Sequence, residues 1–278
     1  MVKQGNIQMI TTKMIVMDLD DTLLNDGLTI ESYTKQVIKN AHEHGIRIII
    51  ASGRPTSAIM NFSKELELEK YNGFVISYNG AVITDCVTEE NIFEKKLSIN
   101  DFQRVCDLAK EKELFIHTYL GNEIFTSEMN EYTDFEGRLT GMPVNKVNDL
   151  KSYVNSEVIK TLILGDPAKL KQVETEVQPI LGNDMSINIS KPFFLEFTNK
   201  KVDKSKTIDV LIKALGIEKN EVMAIGDSYN DLTMIKDCGI GVVMDNAPED
   251  VKEHADFITH SNNYNGVATA INRYALGV

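Results

Sequence analysis

The 278 residues are 42% hydrophobic and 25% charged, a balance that excludes a disordered or fibrous chain. Lys and Arg number 29 against 41 Asp and Glu, a net charge of −12, which disfavours nucleic acid or an anionic membrane as the main partner. The length suggests about two structural units, or one large one. No apolar run approaches the ~20 residues of a membrane span. The N-terminal MVKQGNIQMITTK has no apolar stretch of signal-peptide length. Cys86, Cys106 and Cys238 are widely spaced and form no CxxC, so reduced packing cysteines in a cytoplasmic protein are expected.

In chain order, Met14–Met17 is an apolar run that suits a strand buried on both faces and stops at Asp18. A helix follows, with Thr29 as its cap, Tyr33, Val37, Ile38 and Ala41 on one face, and Gly45 at its end. His42 and His44 point to different sides of that helix and read as a solvated face rather than a metal pair. The run 46–51 reads as the next buried strand, and Pro55 is placed to start a helix. Residues 73–83 read as a strand or hairpin interrupted at Asn79-Gly80.

The stretch 84–191 has a different texture. Strand-like runs at 114–118 and 160–164, with another just beyond at 193–197, alternate with amphipathic helices such as 101–110. It is too long for an unstructured loop, and reads as an inserted α/β domain. Strand–helix alternation then resumes. A helix carries Ile208, Leu211, Ile212 and Leu215 and stops at Gly216; strands are expected at 221–225, 240–244 and 257–258. The expected fold is α/β: a doubly wound parallel-sheet core from 1–83 and 192–278, with 84–191 as a cap or lid over the strand ends.

The chemistry concentrates where strands end. Asp18-Leu19-Asp20-Asp21 places three carboxylates in four residues directly after a buried strand. Turn formation accounts for one such residue; like charges at a partly desolvated strand end need another reason. A divalent cation would neutralise them, leaving one carboxylate to attack phosphorus while another handles protons. Ser52-Gly53-Arg54 also follows a strand; a hydroxyl and N–H groups there suit a phosphoryl oxygen, or Ser52 is a plain helix cap. Gly226-Asp227-Ser228-Tyr229-Asn230-Asp231 adds two acids and an amide. Lys200, Lys201, Lys204 and Lys206 crowd a helix start, where cations oppose the macrodipole unless one faces an anion. In the insert, His117, Tyr119 and Arg138 are either substrate contacts or ordinary cap surface. No zinc-spaced Cys/His set, GxGxxG after a strand or GxxxxGK[ST] is present.

DLDDTLL, ASGR, Lys204 and GDSYND, in that order, resemble the four motifs of the haloacid-dehalogenase-like phosphatases. GVVMDNAPEDVKEHADFIT, Asn265-Gly266-Val267-Ala268 and Tyr78-Asn79-Gly80-Ala81 resemble the Cof-type (IIB) branch. The chain departs from that pattern at Asp21, Lys201, Ser205 and Asp245. The resemblance implies a Mg²⁺-dependent phosphatase of small phosphate monoesters, such as sugar phosphates or phosphorylated cofactors. Asp18 would become an aspartyl-phosphate. Asp20 would be the general acid and then the base, with its backbone carbonyl on Mg²⁺, and Asp227 would be the other metal ligand. Asp231 would hold metal-bound water or orient Lys204. Ser52, Gly53, Lys204 and Asn230 would bind the phosphoryl group. A phosphomutase, or a non-catalytic regulatory protein on the same fold, are the alternatives.

Overall fold

The computed structural model of the protein describes residues 12–278. The reading of the N-terminus as lacking a leader falls mostly on residues outside the described ones. The chain runs through β1 (Met14–Met17), a short irregular helical turn at Leu19–Leu23, α1 (Ser32–Glu43), β2 (Arg47–Ala51), α2 (Thr56–Glu65), β3 (Phe74–Ser77), β4 (Val82–Asp85) and β5 (Asn91–Glu94). It continues through α3 (Ile99–Glu111), β6 (Phe115–Leu120), β7 (Glu123–Thr126), α4 (Glu131–Thr140), β8 (Val144–Lys146), α5 (Leu150–Tyr153), β9 (Lys160–Leu164), α6 (Pro167–Leu181), β10 (Met185–Lys191) and β11 (Phe194–Asn199). It closes with α7 (Lys204–Leu215), β12 (Val222–Gly226), α8 (Leu232–Asp237), β13 (Ile240–Val243), α9 (Glu249–Lys252), β14 (Phe257–Ile258) and α10 (Gly266–Ala270).

Two compact units result: residues through Ile92 with Asp203–Val278, and Phe93–Val202. Both borders lie further along the chain than the 83/84 and 191/192 expected from texture. β4 and β5 extend the first sheet past β3, and β11 pairs with β10 and β9 in the second. Hydrogen bonding between strands, invisible to composition, draws the borders.

The first unit is a doubly wound sheet in the order β14-β13-β12-β1-β2-β3-β4-β5. It is parallel from β14 through β3 and turns antiparallel at β4. Every residue of β1 is buried, as its unbroken apolar run requires of a strand covered on both faces. From β1 the chain steps to β2 and β3 on one side and, after the second unit, to β12, β13 and β14 on the other. The winding therefore reverses beside β1, and in open α/β sheets the crevice at such a reversal takes ligands. Register brings the strand ends level: Met17 pairs with both Ile225 and Ile50, and the Asp18 N–H donates to the Ile225 carbonyl at 2.9 Å.

The second unit is a six-stranded sheet, β10-β11-β9-β6-β7-β8, antiparallel except at β7/β8. Phe102, Val105, Leu170 and Val173 from α3 and α6 pack on Ile163, Leu195 and Phe197 on one face. For two polar residues of this unit the cap-surface alternative fails. His117 and Tyr119 are buried rather than surface-exposed: His117 Nδ1 lies 3.1 Å from the Thr133 hydroxyl, and Tyr119 donates to Glu136 at 2.7 Å. Burial, reinforced by Lys160, pushes the His117 imidazole down to about 3. Lys160 pairs with Glu196 at 2.9 Å, also out of solvent, whereas Arg138 is exposed.

Helix α1 departs from expectation in three ways. It begins at Ser32, because the Thr29 hydroxyl and N–H both donate to the Asn25 side chain and close a turn instead. Tyr33 is half-exposed, its hydroxyl accepting from Asn272. His42 is not on a solvated face: it is buried and stacks on Tyr71, ring centroids 4.1 Å apart and nearly parallel. It lies one turn beyond Ile38, on the buried stripe with Val37 and Ala41. Burial, opposed by a backbone hydrogen bond at Ile46, lowers the His42 pKa to about 4. The folded state thus prefers neutral His42, and the associated stability is complete above the unfolded value near 6.5 and is lost as pH falls towards 4. In denaturant titrations, the wild type should lose stability faster than His42→Phe between pH 6.5 and 4.5. Parallel pH profiles would show that His42 is not held neutral.

Candidate active site

The ends of β1, β2 and β12 deliver Asp18, Ser52 and Asp227 to one edge of the sheet, and the start of α7 delivers Lys204. The Lys204 side chain is fully excluded from solvent, its Nζ 2.5 Å from Asp18 Oδ1 and 2.7 Å from Asp231 Oδ1. The other Asp231 oxygen accepts the N–H groups of Asp227 and Ser228, each at 3.1 Å. This return of Asp231 onto its own turn requires Gly226, since a Cβ there would lie 2.6 Å from the Asp231 side chain. The Thr22 hydroxyl donates to Asp227 Oδ1 at 2.6 Å. Oxygens of Asp18, Asp227 and Asp231 gather within 4.8 Å of one another.

Three carboxylates around one ammonium leave the cluster negative. Burial raises the Asp18 carboxyl well above the usual range; Lys204 opposes the shift, and Asp231 and Asp227 add to it. Burial likewise lifts Asp227 to about 7, against the Thr22 hydrogen bond. Burial pulls the Lys204 ammonium down, but Asp18 and Asp231 outweigh it and hold the pKa above its ordinary value. Such a set fits a hard divalent cation, which takes oxygen ligands and removes the repulsion. Asp231 is already engaged by Lys204 and two backbone N–H groups, leaving Asp18 and Asp227 as the side chains best able to face an ion.

Asp20 stands apart from that cluster. Residues Asp20 (ψ 133°) and Asp21 (φ 57°) break the turn after β1, and the half-exposed Asp20 carboxylate is gripped by both the Arg54 Nε, at 2.8 Å, and Nη2. Arg54 in turn lies over the Phe62 ring, 5.7 Å from its centroid. Ser52 is buried; its hydroxyl accepts the Arg54 N–H at 3.1 Å, the geometry of a turn at a strand end. Asn230 donates to Asn79 Oδ1 at 3.0 Å. Lys201 and Lys206 are exposed, as a merely solvated lysine cluster would be, and Lys200 bonds the Gly182 carbonyl. Sequence reasoning gives no role to Thr22, the Arg54 side chain or Asn79. Thr22 and Asn79 both stand inside quoted motifs, while the partner of the Arg54 side chain is visible only through a long-range contact.

The family model described as haloacid dehalogenase-like hydrolase matches residues 15–271. A putative phosphatase, YxeH of Bacillus subtilis, is 33% identical over 95% of this chain and 98% of its own length. The B. subtilis protein YcsE, named a 5-amino-6-(5-phospho-D-ribitylamino)uracil phosphatase, is 30% identical over 95% of this chain and 96% of its own. Among solved structures, a haloacid dehalogenase-like hydrolase from Bacteroides thetaiotaomicron superimposes with a TM-score of 0.88 at 40% identity, covering 94% of this chain and 99% of that one. The subclass IIB sugar phosphatase BT4131 superimposes with a TM-score of 0.81 at 28% identity, covering 95% of this chain and all of that one. With its doubly wound core, its inserted α/β unit and its carboxylates gathered at the strand ends, the chain belongs to the haloacid dehalogenase-like hydrolases.

Proposed function

We propose that this protein is a Mg²⁺-dependent phosphatase that hydrolyses small phosphate monoesters through an aspartyl-phosphate on Asp18. The observation that carries the reading is the buried Asp18 carboxylate, fixed by Lys204 beside Asp227 in a cluster with too little positive charge. The names of the relatives, a phosphorylated ribitylaminouracil phosphatase and a sugar phosphatase, support small soluble esters such as sugar phosphates or phosphorylated cofactors. Three buried, unpaired cysteines, each pushed up to about 12 by burial, are compatible with a reducing, cytoplasmic setting. No described helix is long and apolar enough to cross a membrane.

Mg²⁺, held by Asp18, Asp227 and the backbone carbonyl of Asp20, would supply charge neutralisation for the phosphoryl oxygens. Lys204, the Ser52 hydroxyl, the N–H groups around Gly53 and Asn230 hold those oxygens in place. Phosphoryl transfer asks mainly for such positioning and charge stabilisation. An Asp18 oxygen attacks phosphorus as the ester P–O bond breaks, and Asp20 gives its proton to the departing alkoxide. Asp20 then takes a proton from water as the water oxygen attacks phosphorus, and the Asp18–phosphorus bond breaks to release phosphate. Asp20 must leave Arg54 to do this, so its half-exposed position suits a swinging acid.

Phosphate release from a panel of phosphorylated metabolites with Mg²⁺ tests the class directly, and isomer formation without release would indicate a mutase instead. Asp18→Asn should lower turnover by about 10³-fold or more with the fold intact; near-normal activity would mean another nucleophile. Asp20→Asn should slow alkyl phosphates far more than aryl phosphates, whose leaving groups need no proton. Equal losses would remove Asp20 as the acid.

Asp227 offers a test independent of turnover. A folded-state pKa near 7 against an ordinary 3.8 means that its contribution to stability is complete below 3.8 and is lost as pH rises through 7. Without metal, Asp227→Asn should therefore melt higher than the wild type at pH 8, with the gap narrowing towards pH 5. Mg²⁺ should raise the wild-type melting temperature at pH 8 and barely move the variant's. Identical responses would take Asp227 out of the cation site.

A further inference from the structure

The stretch Tyr78-Asn79-Gly80 carries three successive residues with positive φ, at 52°, 56° and 104°. Glycine tolerates this region and asparagine partly does, but a buried tyrosine does not adopt it without cause. Residues held so persist only where their surroundings over-determine them. Here the surroundings are three of the loops that build the active site.

The Tyr78 N–H donates to the Arg54 carbonyl and the Asn79 N–H to the Ser52 carbonyl, both at 3.0 Å, so the backbone is clipped on either side of Gly53. The Gly80 carbonyl accepts the Thr207 hydroxyl of α7 at 2.7 Å, and a Cβ on Gly80 would lie 2.8 Å from the Asp203 carbonyl oxygen, one residue before Lys204. The Asn79 side chain makes the third joint. Its Oδ1 accepts from Asn230 Nδ2 at 3.0 Å, and its amide lies so close to Gly53 that a Cβ there would come within 3.1 Å. No hydrogen bond joins Asn79 to Asp18, Asp227 or Lys204 among those of the described residues.

We infer that Asn79 is a positioning residue for phosphoryl binding, one that ties the Ser52–Arg54 turn to Asn230 and so fixes how the two present their donors to the same phosphoryl group. This rests on the reading of Ser52 and Asn230 as phosphoryl-binding groups. The left-handed backbone places the amide against Gly53, and the accepted hydrogen bond fixes the Asn230 amide. Loss of the Asn79 side chain frees Asn230 without removing it.

The test is a set of mutant cycles read by calorimetric titration of inorganic phosphate in the presence of Mg²⁺, with KM and kcat on one phosphate ester measured alongside. Asn79→Gly keeps the left-handed backbone and removes only the amide. Asn79→Asp keeps an oxygen that can accept from Asn230. Asn230→Ala should weaken phosphate binding about threefold to tenfold in the wild-type and Asn79→Asp backgrounds, the value of one hydrogen bond. In the Asn79→Gly background it should cost almost nothing further, and Asn79→Gly alone should raise KM more than it lowers kcat. Thermal melting checks that each variant is folded, and the Asn79→Asp comparison stands by itself should Asn79→Gly unfold. An equal cost of Asn230→Ala in all backgrounds, or its loss in Asn79→Asp, would overturn the inference. If the wild type itself bound no phosphate, or Asn230→Ala changed nothing in the wild type, the phosphoryl-site reading would fail instead.

Discussion

A lysine ammonium entirely out of water is the constraint from which the active site takes its form. Lys204 can remain charged there only because Asp18 and Asp231 lie on it. Those same contacts fix the geometry of everything else. Asp231 is pulled back over Gly226 and orders the N–H groups of Asp227 and Ser228. Asp18 is held with one oxygen on the lysine at the tip of β1. The cluster is then short of positive charge, and a bound cation together with a phosphoryl group would complete it. With that cation in place, a protein of net charge −12 would gain a local place for an anion.

The fold supplies this arrangement through register rather than through any single motif. β1 is flanked by β12 and β2, and their paired residues stop at the same level, so Asp18, Asp227 and Ser52 emerge side by side although they are far apart in sequence. The chain reverses its winding beside β1, the point at which open α/β sheets take their ligands. The loop after β3 then braces the result, its strained residues fastened to the Ser52 turn and to α7. Rigid strands place the charged groups, and a strained loop holds their neighbours.

Much of this was legible in the residues. Apolar runs closed by acids marked the strand ends, and four short motifs in order resembled one family closely enough to name the fold and the class of reaction. What escaped was whatever depends on contacts between distant segments. Arg54 was read for its backbone, yet its side chain holds Asp20, a pairing across 34 positions that no local pattern encodes. His42 and His44, pointing to different sides of the helix, read as a solvated face rather than a metal pair, although the spacing of His42 from Ile38 places it on the buried stripe. His117 and Tyr119 read equally as substrate contacts or ordinary cap surface, and partners on α4, Thr133 and Glu136, enclose them instead of leaving them at the surface. The unit borders shifted for a similar reason, since β4, β5 and β11 declare their sheet only by pairing.

The measurement that bears most directly on the account is the stereochemical course at phosphorus. A thiophosphate ester made chiral with oxygen isotopes is hydrolysed in water carrying a third isotope, and the configuration of the released thiophosphate is read. Attack by Asp18 followed by attack of water inverts phosphorus twice, so net retention is the result expected. Net inversion would mean that water displaces the leaving group in one step, and that the carboxylate fixed by Lys204 is not the nucleophile.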